Sequence, residues 1–175
     1  MASKRCLSQA LNARIRGSGA ETLVLAHGYG MEQSMWDKVV PLLAENYRVV
    51  TFDWVCAGSV KNEKLYDPVK YSSYEAFADD LITLLQEMNL KAVTYVGSSM
   101  SGIIGCIASV KTPQLFKTLI LVGSSPRYLF FISIFDISHL FNFYSLILMV
   151  TVSCYSTNEL RIFGNSIITS EENMH

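Results

Sequence analysis

Hydrophobic residues along the chain follow two alternating rhythms between positions 11 and 122. Short, near-continuous apolar runs at 22–26 and 118–122, and runs rich in β-branched and aromatic residues at 47–52 and 92–96, predict buried strands. Between the last two, Tyr74, Phe77, Ala78, Leu81, Leu85 and Met88 recur at helical spacing, with Asp79, Asp80, Gln86 and Glu87 mostly off that stripe. This predicts an amphipathic helix to about position 89, with Ser72 and Glu75 spaced as a capping box. The small apolar stretch 103–110, stopped by Pro113, predicts a further helix. Ser34 is placed to cap a helix through Met35, Trp36, Val39 and Val40, which Pro41 kinks or restarts. At the front, residues 11–15 alternate and end at Gly17-Ser18-Gly19, suggesting an edge hairpin with 22–26. Residues 59–71 are polar and read as a surface loop.

The resulting order to Arg127 is β-β-α-β-α-β-α-β, which specifies a mostly parallel sheet with right-handed crossovers. Ligands in such sheets bind at the C-terminal strand ends. A length of 175 residues, half of them hydrophobic and 17% charged, suits one domain with a substantial core. The net charge of −1 offers no electrostatic footprint, so nucleic acid is excluded as a partner. Cys6, Cys56, Cys106 and Cys154 are widely spaced, and no signal-like apolar run precedes the first strand. Reduced thiols in a cytosolic protein are the expectation, with no metal and no cofactor.

Candidate chemistry centres on Val96-Gly97-Ser98-Ser99-Met100-Ser101-Gly102, where a strand turns directly into a helix. Gly97 stands two before Ser99, the register of the G-x-S-x-G nucleophile elbow of α/β-hydrolases; no glycine stands two before Ser98 or Ser101. Ser99 is therefore the candidate catalytic nucleophile. The fifth position is Ser101 rather than glycine, and Ser101 and Gly102 still let the following helix pack close. The plainer alternative is a polar turn with Ser98 as helix cap.

After the strand 22–26 comes His27-Gly28-Tyr29-Gly30. In α/β-hydrolases the loop at this place supplies one oxyanion donor and the residue after the nucleophile supplies the other. Here those are the main-chain N–H groups of Tyr29 and Met100. Each such donor is worth about 3–4 kcal/mol in the transition state. His27 sits in the wrong loop for a catalytic base and is expected to fix the loop by hydrogen bonds. Asp53, at a strand end, is expected to organise a loop rather than act as an acid.

Several segments go further: Leu25 to Gly30, Gln33 to Trp36, Tyr47 to Val50, Tyr74 to Leu85, Gly97 to Gly102, and Ser125-Pro126-Arg127-Tyr128. Together they closely resemble the plant strigolactone/karrikin receptor-type α/β-hydrolases, in particular the dwarf-type paralogues that carry Phe-Asp-Trp, here Phe52-Asp53-Trp54. The resemblance covers about residues 11–128. It implies a small butenolide or ester ligand, Ser99 as nucleophile, Tyr29 and Met100 as oxyanion donors, and a soluble protein of cytoplasm and nucleus that signals through partner proteins. The family usually has histidine where this chain has Ser98; that histidine is not the triad base.

Past Tyr128 the family pattern would continue into a four-helix lid and return to the core, delivering the catalytic Asp and His. Here residues 129–175 form a divergent hydrophobic tail expected to lie outside the family fold, so 1–128 is read as the N-terminal part of an α/β-hydrolase core. His139 and His175 do not follow a strand and an acidic residue in the order that the triad requires. A truncated gene model, retained intron or splice variant would account for this tail. A span through 137–154 is the competing reading and ranks below it. The expectations are a catalytically incomplete chain, an open edge on the strand 118–122 that invites aggregation, and, as the alternative function, a non-catalytic fragment binding ligand or partners.

Overall fold

The computed structural model describes residues 6–62, 65–124 and 152–156. Six strands form one sheet: β1 Arg14–Arg16, β2 Thr22–Ala26, β3 Arg48–Phe52, β4 Val93–Ser98, β5 Phe116–Val122 and β6 Val152–Ser156, in the order β1-β3-β2-β4-β5-β6. The four inner strands are mutually parallel, and both outer pairings are antiparallel. The expected α/β-hydrolase architecture is thus present as a mostly parallel sheet with flanking helices.

β2 sits at the centre and alternates its side chains between two cores. Leu23 and Leu25 join Val40 and Val49 on one face, beneath α2 (Val40–Ala44). Val24 and Ala26 face the other way, into the larger cluster with Phe52, Trp54, Leu81, Tyr95 and Ile104. That cluster is roofed by α3 (Tyr74–Glu87) and α4 (Met100–Lys111), which pack on each other, with the short α1 (Leu7–Ala10) against α3. Connections run from β2 outward to β3, then back across to β4. The crevice between the C-terminal ends of β2 and β4 is therefore the point where strand order reverses, the place where open α/β sheets bind ligands.

Several local expectations are corrected. β1 does not form a hairpin with β2; it pairs antiparallel with β3, Ile15 opposite Val50. The apolar β2 has both edges occupied by parallel partners, so the first strand must lie outside β3. The helix expected from Ser34 is split into a 3-10 turn, Gln33–Trp36, and α2, with Pro41 in the first turn of α2; Glu32, not Ser34, precedes the 3-10 turn. The capping box does not form: Ser73 takes the N-cap of α3, while the Ser72 hydroxyl donates to Val69 O at 2.9 Å. Asp80 is buried rather than turned away, accepting a hydrogen bond from the Tyr71 hydroxyl at 2.6 Å and one from Lys70 Nζ at 3.1 Å. Burial and that carboxylate together push the Tyr71 phenol up to about 12.

The open edge expected on β5 is occupied, because β6 pairs along it from Thr118 opposite Ser156 to Val122 opposite Val152. No helix among the described residues is long and apolar enough to cross a membrane. The stretch 125–151, which includes Pro126, Tyr128 and His139, and the stretch 157–175, which includes His175, lie outside the described residues. Cys6, Cys56 and Cys106 are free thiols.

Candidate active site

β4 ends at Ser98 and α4 begins at Met100, so one residue, Ser99, makes the whole turn. Its backbone adopts φ 54°, ψ −122°, a region that costs a non-glycine residue about 1–3 kcal/mol and that surrounding contacts must hold. Three contacts do so. Ser99 N–H donates to Val122 O at 2.9 Å, Gly102 N–H donates to Ser99 O at 3.0 Å, and the Ser124 hydroxyl donates to Ser99 O at 2.6 Å. Ser99 itself occupies the N-cap position of α4, so the alternative of Ser98 as the cap is not what the turn uses. Its side chain makes no capping hydrogen bond, which leaves the hydroxyl uncommitted to the helix.

The loop after β2 closes on this turn. A Cβ at Gly28 would lie 3.2 Å from Ser99 Cβ, so the close approach of the loop to the elbow depends on the bare glycine. Tyr29 follows and is 80% exposed. The N–H groups of Tyr29 and of Met100, the first residue of α4, have no hydrogen-bond partner among the described residues. A helix N-terminus leaves such donors free and carries partial positive charge. The two expected oxyanion donors thus flank Ser99 on adjoining elements.

His27 is the one histidine among the described residues, and both ring nitrogens are taken. Nδ1 donates to Gly28 O at 2.9 Å, and Nε2 accepts the Trp54 main-chain N–H at 3.0 Å. An Nε2 that accepts a hydrogen bond carries no proton, so the 3.9 Å approach of Asp53 Oδ1 is not an ion pair. Burial, only partly offset by the Gly28 carbonyl and Asp53, lowers the imidazole below its usual range. Asp53 is likewise committed: it accepts Gln33 N–H at 2.8 Å, Gln33 Nε2 at 2.8 Å and Asn12 Nδ2 at 3.1 Å. Those hydrogen bonds outweigh burial and hold its carboxyl below the usual carboxylate value. Thr51 completes the clamp by donating to Gln33 Oε1 at 2.8 Å. Both residues organise loops.

The neutral His27 makes a pH prediction. Its folded pKa lies below the unfolded value of about 6.5, so the unfolded chain takes up the proton first and stability falls as pH drops below about 6.5. The limiting slope is about 1.4 kcal/mol per pH unit for one proton. Asp53, also lowered, adds the same sign of effect below about pH 4. Urea midpoints between pH 7.5 and 5 should decline for the native chain and lose most of that slope in His27→Asn. An unchanged slope in the variant would assign the effect elsewhere.

Sequence reasoning did not find Ser124, the hydroxyl that holds the Ser99 carbonyl. Its signal was available: it follows Gly123 at the C-terminal end of the strand beside β4. It also missed the buried partnership of Ser101 with Trp54, whose indole Nε1 donates to Ser101 Oγ at 2.8 Å and to His27 O at 3.0 Å.

Comparison with known proteins places the fold in a family. The family model for the alpha/beta hydrolase fold matches residues 21–170. Strigolactone esterase D14 of Arabidopsis thaliana is 44% identical over 127 residues, covering 73% of this chain and 47% of the relative. Karrikin insensitive 2 receptor CA of Petunia hybrida is 46% identical over 123 residues, covering 70% and 45%. The chain thus spans about half the length of the curated relatives it matches. Among solved structures, a hydrolase from Oleispira antarctica superposes with a TM-score of 0.66 at 32% identity, over 69% of this chain and 44% of that one.

Proposed function

The chain belongs to the α/β-hydrolase fold family, and from that premise we propose that it carries the nucleophile half of a serine hydrolase site for a small ester or butenolide lactone, of the kind suggested by its strigolactone esterase and karrikin receptor relatives. The observation that carries this reading is Ser99 held at φ 54° in the topological crevice, with Gly28 against it and the Tyr29 and Met100 N–H groups without a partner among the described residues. In the reaction, Ser99 Oγ adds to the ligand's carbonyl carbon and its proton passes to a general base. The carbonyl oxygen becomes an oxyanion that accepts hydrogen bonds from Tyr29 N–H and Met100 N–H. Collapse expels the alkoxide, which takes the proton back from the base, and water then hydrolyses the acyl-serine. The family resemblance implies that the base is a histidine, paired with an aspartate, from the C-terminal half of such folds. His27 cannot serve, since both its nitrogens are engaged.

The resemblance further supports signalling through partner proteins in cytoplasm and nucleus. A second reading, ligand binding without turnover, is favoured by the engagement of His27. The test is a chimera joining residues 1–124 to the C-terminal half of the Arabidopsis strigolactone esterase D14. A fluorophosphonate probe should label it at Ser99. Labelling should vanish in Ser99→Ala and persist in Ser98→Ala; the reverse pattern would overturn the assignment, and a properly folded chimera that is never labelled would favour binding alone.

A further inference from the structure

The general elbow pattern has glycine at the fifth position, where this chain buries Ser101 completely. A buried hydroxyl must be satisfied, and this one is satisfied in a specific way. Ser101 Oγ donates to the main-chain oxygen of His27 and accepts the Trp54 indole N–H at 2.8 Å. The same indole N–H also reaches His27 O at 3.0 Å, and the Trp54 main-chain N–H holds the His27 ring at 3.0 Å. Trp54 is fixed in turn by edge-on packing against Phe52 at 4.8 Å and Phe77 at 5.8 Å between centroids. The His27 carbonyl belongs to the peptide that leads into Gly28 and Tyr29. Three elements therefore converge on one peptide: the first turn of α4, the end of β3 and the loop after β2.

We propose that Ser101 and Trp54 are positioning residues for the oxyanion loop: by gripping the His27 carbonyl they fix the His27–Gly28 peptide, and through the His27 ring, which Trp54 N–H holds and whose Nδ1 donates to Gly28 O, the Gly28–Tyr29 peptide beyond it, and so aim the Tyr29 N–H at the ligand carbonyl above Ser99. Neither touches the ligand. The proposal rests on the serine-hydrolase reading for its purpose, but its geometry is testable without catalysis.

The test uses the ¹⁵N-labelled 175-residue chain. Its two tryptophans give two indole N–H resonances, assigned with Trp36→Phe. In Ser101→Ala the Trp54 indole N–H should exchange with solvent about tenfold faster, and the Tyr29 amide resonance should shift. Ser101→Thr, which keeps the hydroxyl, should restore both. Trp54→Phe keeps an aromatic ring and deletes the donor, and should shift the Tyr29 amide in the same direction. The double variant Ser101→Ala/Trp54→Phe should shift it no further than the larger single change, because both act on one carbonyl. A Tyr29 amide unmoved by either single variant, or additive shifts, would overturn the proposal. Should Ser101→Ala fail to fold, Trp54→Phe alone decides. Absence of Ser99 labelling in the chimera would count against the hydrolase reading and not against this one.

Discussion

Gly97→Ala is expected to lower the stability of the chain by about 3 kcal/mol, the upper end of the usual range for overpacking. An added Cβ would sit 2.7 Å from Gly102 N, Ser101 C and Ser101 O. All three are backbone atoms at the start of α4, so no rotamer change can make room, and the helix would have to back away from β4. The elbow would then lose the geometry that holds Ser99. Against a total stability of about 5–15 kcal/mol this is a large fraction. At about 2–4 °C per kcal/mol for a chain of this size, the melting temperature should fall by about 6–12 °C. Gly30→Ala is the control, since nothing lies within 4 Å of its Cβ and only its φ of +72° is penalised, at about 1 kcal/mol. Urea midpoints that are equal for the two variants would mean that the elbow tolerates the displacement.

A polypeptide of these 175 residues is expected to hydrolyse a p-nitrophenyl ester at least about 10⁴-fold more slowly than the chimera described above. Removing one member of a serine triad has an effect of that order or greater, leaving only oxyanion and binding contributions. The physical ground is the state of His27: neutral, buried and bonded through both nitrogens. With His27, the one histidine among the described residues, unable to take its proton, the Ser99 hydroxyl is expected to be a weak nucleophile. Turnover within tenfold of the chimera, abolished by Ser99→Ala, would show that another group takes the proton.

Much of this arrangement could be read in the residues, because the deciding signals are local. A buried apolar run such as Thr22–Ala26 can be little but an inner strand, and Gly97 two before Ser99 leaves one register for the elbow. What escaped were decisions made by distant partners. Nothing near β1 says that both edges of β2 are already occupied, so a hairpin looked plausible where β3 was the partner. The spacing to Glu75 points to Ser72 as the cap, and the turn at Tyr71, tied to Asp80, places Ser73 there instead. Asp80 looks like a surface residue until Tyr71 and Lys70 arrive from the preceding loop. The pairing of Ser101 with Trp54 joins positions 47 apart, which no periodicity reports.

The anchoring of Ser99 also fixes when its backbone can be trapped during folding. The hydroxyl that grips its carbonyl belongs to Ser124, 25 residues further along, and its N–H waits for Val122. Until β5 docks beside β4, only the local Gly102 N–H bond to Ser99 O is available to offset the left-handed φ of Ser99, and that residue should sample ordinary extended or helical conformations instead. Docking β5 closes a loop that spans the whole of α4, so it is expected to be a slower event than forming α4 alone. During synthesis, the strained geometry of Ser99 is thus withheld until a full strand–helix–strand unit has emerged.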